Sequence, residues 1–524
     1  MFRLCILYIL LIPWLKAGLA EGIFKLLTGI LLILLLLLSL RDIRWGKLNR
    51  IAVLFTTTIP VLFLISFLNP SFRAIDHEDL KELNFYKRLQ SSNDLHAAQF
   101  LSQRFRSILA TNEHSKSQSL AIFFDSLETY RSKFKPKRNE DLYVLMNEIY
   151  DKIKLENIWY LPSLTIVEDG ITQNFLFWFS NFFIAYLLIF SKANSSDIHF
   201  SLWLILINCT LLAFVGIMQK FYYVPSDSKL EILGIWDTPE PRYFFSTFTY
   251  KNHWSAFAIL SIFYGACIIY EEICNWGNNI LRSNKFIFVL LCCFIIIASI
   301  IYSGSRSGVI ILLLSVLLIT FLFLRYYFQF KLVKIFAFII LPVSLIGLCF
   351  FIFLKSNNST AKEMLNISKI QLNEISNGKL PLRWYLWMDA LNVGSQKPSF
   401  GHGFNSYPSI NPLFQSNYVR DARSVGLEAA HNPYIPLVAH AHNDWIEWWC
   451  EWGLLGMLVI FIPMLTIVVA ALVGNFNLNT KLLMAGVTMI LLYSFFDFPT
   501  RTPACLGLFC FTFGLALSSA RQQI

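Results

Sequence analysis

The fold class this sequence predicts is an all-α polytopic membrane protein of about 12 transmembrane helices with two large extracytoplasmic segments, and three observations predict it. Only 15% of the 524 residues are charged and 56% are hydrophobic, where soluble domains carry about 25% charged residues. Apolar runs long enough to cross a bilayer recur along the chain, and the mean hydropathy is +0.55. Basic residues gather in alternate loops, as cytoplasmic loops of membrane proteins do. That pattern also accounts for the net charge of +10 without nucleic acid as a partner.

The runs lie at roughly 4–19, 22–40, 51–69, 172–190, 200–218, 254–270, 286–302, 308–324, 335–354, 453–471, 481–496 and 504–519. The first follows Arg3 as a signal peptide would. No small-residue cleavage pattern follows it and a second apolar run comes at once, so it reads as a span. It is short and carries Pro13 and Lys16. Orientation comes from Arg41, Arg44, Lys47 and Arg50 in loop 41–50, Arg282 and Lys285, Arg325, Lys331 and Lys334, and Arg521. With twelve spans and a cytoplasmic N-terminus all of these fall inside. The same bookkeeping puts 70–171 and 355–444 outside. The expected organisation is N-terminal helices 1–69, a helical insert 70–171, a transmembrane core 172–354, a large outer loop 355–444 and C-terminal helices 445–524. The 10 Cys, among them Cys209, Cys267, Cys292, Cys293, Cys349 and Cys510 in apolar runs, form no C-x-x-C pair and no metal spacing.

Five polar clusters, with a sixth softer one, fall on the outer side of this topology. Ser303, Gly304, Ser305 and Arg306 join two apolar runs with almost no loop. A tight turn with a snorkelling arginine is one reading. An anion clamp, in which small neighbours let a phosphate reach backbone and guanidinium together, is the other. Residues 382–390 read as an amphipathic helix with Arg383 and Trp387 as i,i+4 neighbours, either an interfacial anchor or part of a site. Pro398, Gly401, His402 and Gly403 form a glycine turn.

The fourth cluster runs from His440 and His442 through Asn443, Asp444, Glu447 and Glu451 to Gly453 and Gly456. Asn443, Glu447 and Glu451 share a helical face, and four Trp in eight residues suggest an aromatic belt. A histidine before such a helix is a candidate general base, or a surface histidine beside solvated carboxylates. Asp497, Phe498, Pro499 and Arg501 make a turn between the last two runs, and Thr247, Phe248, Lys251 and Asn252 precede a span.

In this order the clusters resemble the O-antigen ligase superfamily, whose members include O-antigen ligases, O-antigen polymerases and bacterial protein O-oligosaccharyltransferases. The resemblance rests on Thr247-Phe248 with Asn252, Ser305-Arg306, Arg383 with Trp387, Pro398 with Gly401 and Gly403, His442-Asn443 with Glu451, Gly453 and Gly456, and Asp497-Phe498-Pro499, over about residues 160–519. It implies a glycan donor on a polyprenyl diphosphate at the outer leaflet of a bacterial inner membrane. The acceptor is a hydroxyl on a glycolipid (O-antigen ligase-like), a growing glycan or a protein. It also implies no metal and no cofactor. The catalytic residues it implies are Arg306 and Arg383 for the diphosphate and His442 for the hydroxyl proton, with His440 in reserve. Lys251, Asn252, Asn443, Glu451, Asp497 and Arg501 are the implied substrate-binding residues. A polysaccharide transporter is the reading from another class. It fits less well, because transporters carry ionisable groups or broken helices at mid-membrane, whereas here the informative charges sit at span ends.

Overall fold

The computed structural model describes residues 2–20, 30–31, 180–189, 194–222, 231–237, 243–326, 380–396 and 440–521, with isolated positions at 347, 366, 369, 373, 375–376, 398–399, 401, 407, 411, 416 and 419. The expected spans 22–40, 51–69 and 335–354, the insert 70–171 and much of 355–444 lie outside the described residues, and span 172–190 is described over 180–189.

Hydrocarbon offers no partner to backbone N–H and C=O groups, so apolar runs of this length close their own hydrogen bonds as helices. The helices are α1 (Phe2–Leu11), α2 (Ser180–Ile189), α3 (Ser195–Tyr222), α4 (Lys251–Trp276), α5 (Asn284–Tyr302), α6 (Arg306–Tyr326), α7 (Leu382–Gln396), α8 (Asp444–Val473), α9 (Leu478–Tyr493) and α10 (Pro503–Arg521). Six stretches, Ser195–Lys220, Lys251–Trp276, Asn284–Tyr302, Arg306–Tyr326, Asp444–Val473 and Pro503–Ala520, are long and apolar enough to cross a membrane. The protein is therefore a multi-pass membrane protein. Three further apolar helices, Phe2–Trp14, Ser180–Ile189 and Leu478–Tyr493, are shorter.

The first expected span differs from a single helix. α1 ends at Leu11 and is followed by 3₁₀ turns at Ile12–Trp14 and Lys16–Gly18, with Lys16 and Ala17 at positive φ. Pro13 cannot donate to the preceding turn, so the helix stops there. Among the described residues the strands are those of a two-stranded hairpin, β1 (Glu231–Ile232) with β2 (Trp236–Asp237), closed by Leu233 and Gly234 at positive φ as a primed turn needs.

The described residues fall into two compact units. The first holds α1 to α6, α9, α10 and the end of α8 from Pro463. Its central helix is α4, which packs against α3, α5, α6, α9 and α10. Successive helices reverse direction, so contacts cluster at two ends. At one end the Arg3 guanidinium lies 3.9 Å from Asp197, and Glu271 accepts from Asn479 Nδ2 at 2.9 Å and meets His199 Nδ1 at 2.5 Å. At the other end Thr247 Oγ1 donates to the Pro13 carbonyl at 2.6 Å.

The second unit holds α7 and α8 up to Ile462. In a straight helix Trp445 and Phe461 would be about 24 Å apart. Their rings lie 4.6 Å centre to centre, because the helix breaks at Gly453 (φ 65°, ψ 179°). This splits α8 into an aromatic arm, Asp444 to Trp452, and an apolar arm beginning at Leu454. The expected span start at 453 coincides with that break.

Candidate functional site

Each unit collects part of the motif set. In the first unit, α5 ends at Tyr302 and α6 opens at Arg306, so the Ser303–Ser305 link is the whole connection. Ser305 caps α6: its Oγ accepts from Gly308 N at 3.0 Å, and its carbonyl receives Val309 N at 3.1 Å. Arg306 is thus the first residue of α6, half-buried, at the positive end of the helix. A guanidinium carried on the first residue of a helix combines two features that suit a phosphate.

Ser305 also joins segments far apart in sequence. Its Oγ donates to Asn252 Oδ1 at 2.6 Å, and Asn252 Nδ2 donates to Asp497 Oδ2. Tyr493 Oη lies 3.2 Å from both Ser305 Oγ and Ser307 Oγ. Ser305, Asp497 and Tyr493 are fully buried and Asn252 nearly so. Asp497 receives a second bond from Phe498 N at 3.0 Å. A buried carboxylate is tolerated only when its lone pairs are filled in this way. Beside this network Phe498 stacks on Tyr250 (5.5 Å, 15°) and meets His253 edge-on at 4.7 Å. His253 Nδ1 lies 2.5 Å from Thr502 Oγ1. Lys251 opens α4, with its backbone N 2.5 Å from the Tyr243 carbonyl. Arg501 ends the 3₁₀ turn Pro499–Arg501 and is half-buried. The expected residues Lys251, Asn252, Arg306, Asp497 and Arg501 therefore belong to one end of one unit.

The second unit holds Arg383, His440, His442, Asn443 and Glu451. Arg383 sits half-buried in the first turn of α7, which buries Leu386, Asp389, Ala390 and Val393. Asp389 Oδ2 accepts from Ser416 N and Oγ at 3.0 and 3.2 Å. α7 lies against the aromatic arm: Cys450 Sγ donates to the Ala390 carbonyl at 3.0 Å, and a Cβ on Gly394 would come within 2.7 Å of the Trp449 ring.

The turn from Pro398 to Gly401 closes on the break in α8. Leu454 N donates to the Pro398 carbonyl at 2.7 Å and Leu455 N to the Ser399 carbonyl at 2.9 Å. The two N–H groups that the break exposes are thereby satisfied. Gly401 has φ +70°, and a Cβ there would stand 2.5 Å from the Glu451 carbonyl group and 2.6 Å from Gly453 N. These are backbone atoms and cannot yield as a flexible side chain would. Gly401→Ala is expected to destabilise the protein by on the order of 3 kcal/mol, measured as a lower unfolding midpoint of the purified protein in detergent.

The His440–Glu451 stretch resolves into separate jobs. Asn443 caps α8, its Oδ1 accepting from Ile446 N at 3.2 Å. Glu447 is fully buried; its Oε1 meets His440 Nδ1 at 2.9 Å and its Oε2 accepts from Ala441 N at 3.0 Å. This carboxylate clamps the two residues that precede His442. His442 itself takes φ 55°, uncommon for a side chain with a Cβ and typical of functional or strained positions. Glu451 is fully buried beside the break.

Sequence reasoning placed Glu447 on the polar face but did not single it out. The i,i+4 spacing from Asn443 was the available signal. Ser305 is legible as part of the turn and of the Ser305-Arg306 pair but not as a link to Asn252, and Tyr493 carries no local signal because it sits inside an apolar run.

Residues 291–461 match the family model described as O-antigen ligase. The match takes in Ser305-Arg306, Arg383, Pro398 with Gly401, and His442 through Glu451, and it bears out the resemblance drawn from those motifs. Asn252 and Asp497 lie beyond the matched residues, yet both belong to the hydrogen-bond network of Ser305, within them. A search of curated proteins finds no match to the chain.

Proposed function

Membership of the O-antigen ligase and polymerase superfamily is the premise from which we propose that this chain transfers a glycan from a polyprenyl-diphosphate-linked donor to an acceptor hydroxyl at the periplasmic face of the inner membrane. The acceptor we favour is a glycolipid, as for an O-antigen ligase. The observation that carries the reading is the Ser305–Asn252–Asp497 network, which ties three of the family-like motifs together behind the guanidinium-bearing N-terminus of α6.

The acceptor oxygen bonds to the anomeric carbon as the bond from that carbon to the diphosphate oxygen breaks. The electron pair leaves on the diphosphate, and the acceptor proton passes to a neutral histidine. Charge grows on the diphosphate, so fixed donors aimed there act more strongly on the transition state than on the bound donor. Arg306 and Arg383 are those donors in this proposal, with Lys251 and Arg501 adding positive charge. His442 is the proton acceptor. Glu447 is a positioning residue that acts through residues 440 and 441, and Asn252 and Asp497 position Ser305 and with it the start of α6. Asn443 caps the helix that follows the histidine segment, and Glu451 stands buried beside the break in that helix.

The surface glycans of a deletion strain test the acceptor assignment. Lipid A devoid of all polymer is the expected result. Lipid A capped by single repeat units would redirect the proposal to a polymerase, and loss of glycan from protein alone would redirect it to a protein transferase.

A further inference from the structure

We propose that the first unit carries a binding site for an anionic phospholipid headgroup at the end opposite the candidate active site. α6 runs 21 residues from Arg306 to Tyr326, so its two ends are about 30 Å apart. At the Tyr326 end a cavity of about 510 Å³ opens between the last turn of α6, the α8–α9 loop and the first turn of α9. Among the described residues its polar lining includes Arg325, Lys481, Asn475 and Asn477 and no carboxylate. Among the described residues neither Arg325 nor Lys481 has an ion-pair partner. Two cations lining one recess, with no counter-ion among the described residues, favour an anion entering it. Arg325 presents a planar fork suited to phosphate oxygens, and Lys481 adds a mobile point charge. Lys481 also sits in the first turn of α9, whose N-cap is Asn477, so the helix end adds positive potential of the same sign.

The apolar surroundings decide between a lipid and a free ion. Phe321, Leu317 and Leu314 precede Arg325 on α6 at helical spacing and are 55%, 48% and 40% exposed. Val473, on the cavity wall, is 66% exposed, and Val469 one turn before it is 57% exposed. Two exposed apolar stripes thus run from the cationic mouth along membrane-spanning helices. A free phosphate has no use for them, whereas a phospholipid lays its acyl chains there with its headgroup in the cavity. The basic loops read from the sequence put this end at the cytoplasmic leaflet, where anionic lipids meet basic pockets between helices.

The test is thermal unfolding of the purified full-length protein in detergent, titrated with phosphatidylglycerol, phosphatidylcholine or inorganic phosphate. Phosphatidylglycerol is expected to raise the midpoint of the wild type and phosphatidylcholine to leave it unchanged. R325Q/K481Q is expected to match the wild type in phosphatidylcholine and to need at least about tenfold more phosphatidylglycerol for the same rise. Should the double variant fail to fold, K481Q alone is expected to weaken the response. An equal phosphatidylglycerol response in the variants would overturn the site, as would equal stabilisation of the wild type by phosphatidylcholine. Inorganic phosphate matching phosphatidylglycerol at the same concentration would overturn the lipid assignment.

Discussion

Arg306→Lys is expected to lower glycan transfer by about 10²–10³-fold, and Arg306→Ala by at least as much. Lysine keeps the charge but loses the planar, bidentate fork. The conservative change separates two roles of the residue. An arginine that only snorkelled to the membrane surface would be replaced by lysine without effect. Arg306 opens α6 directly after Ser305, and Ser305 is held by Asn252 and Tyr493. The backbone that carries the guanidinium is therefore fixed from α4 and α9, as preorganised charge stabilisation requires. The rate loss should appear in kcat with lipid-linked donor in excess, and the unfolding midpoint should stay near that of the wild type. A full-activity Arg306→Lys enzyme would remove Arg306 from the diphosphate site.

The second large effect belongs to the histidine segment. His442→Ala is expected to lower transfer by about 10²–10⁴-fold, the range for loss of a general base. Glu447→Gln keeps the size of the side chain but removes one of the two acceptor oxygens that hold His440 and Ala441. It should reduce kcat while leaving KM for the donor close to that of the wild type, because the group it displaces acts on the acceptor proton. His440→Ala is expected to fall between the wild type and His442→Ala. A larger loss from His440→Ala than from His442→Ala would move the base to the His440–Glu447 pair, in which the carboxylate on Nδ1 leaves Nε2 as the basic nitrogen. Kinetics of the three variants in one membrane preparation decide between the assignments.

The membrane character and the apolar helices from 200 onward were legible because long apolar runs between charged loops have few alternatives in lipid, although the run at 481–496 gives a helix, Leu478–Tyr493, shorter than the six candidate spans. The start of the span at Gly453 was legible for the same reason. The fold-back that brings Trp445 against Phe461 was not, since it follows from one glycine's positive φ and from carbonyls of Pro398 and Ser399 about fifty residues away. The first span was legible as short and carrying Pro13, whose missing N–H ends the hydrogen-bond ladder, but the 3₁₀ turns that follow Leu11 were not. The hairpin at Glu231–Asp237 has strands of two residues, too short for an alternation to register.

At the site, residue types were legible and their partners were not. Asn252 and Asp497 stood out as polar groups at span ends. Their mutual bond spans 245 positions and depends on how α4, α6 and α9 pack. His442 stood out as a histidine before an aromatic helix. Its left-handed backbone and the clamp by Glu447 came only with the chain's path around residues 440–447.

Glycan transfer is tested most directly by reconstituting the purified protein in proteoliposomes with a polyprenyl-diphosphate-linked glycan and a hydroxyl-bearing glycolipid acceptor. Glycosylated acceptor and released polyprenyl diphosphate are expected in equal amounts, and neither product with Arg306→Ala. Movement of the intact lipid-linked glycan across the bilayer with no glycosylated acceptor would contradict glycan transfer and return the protein to the transporters.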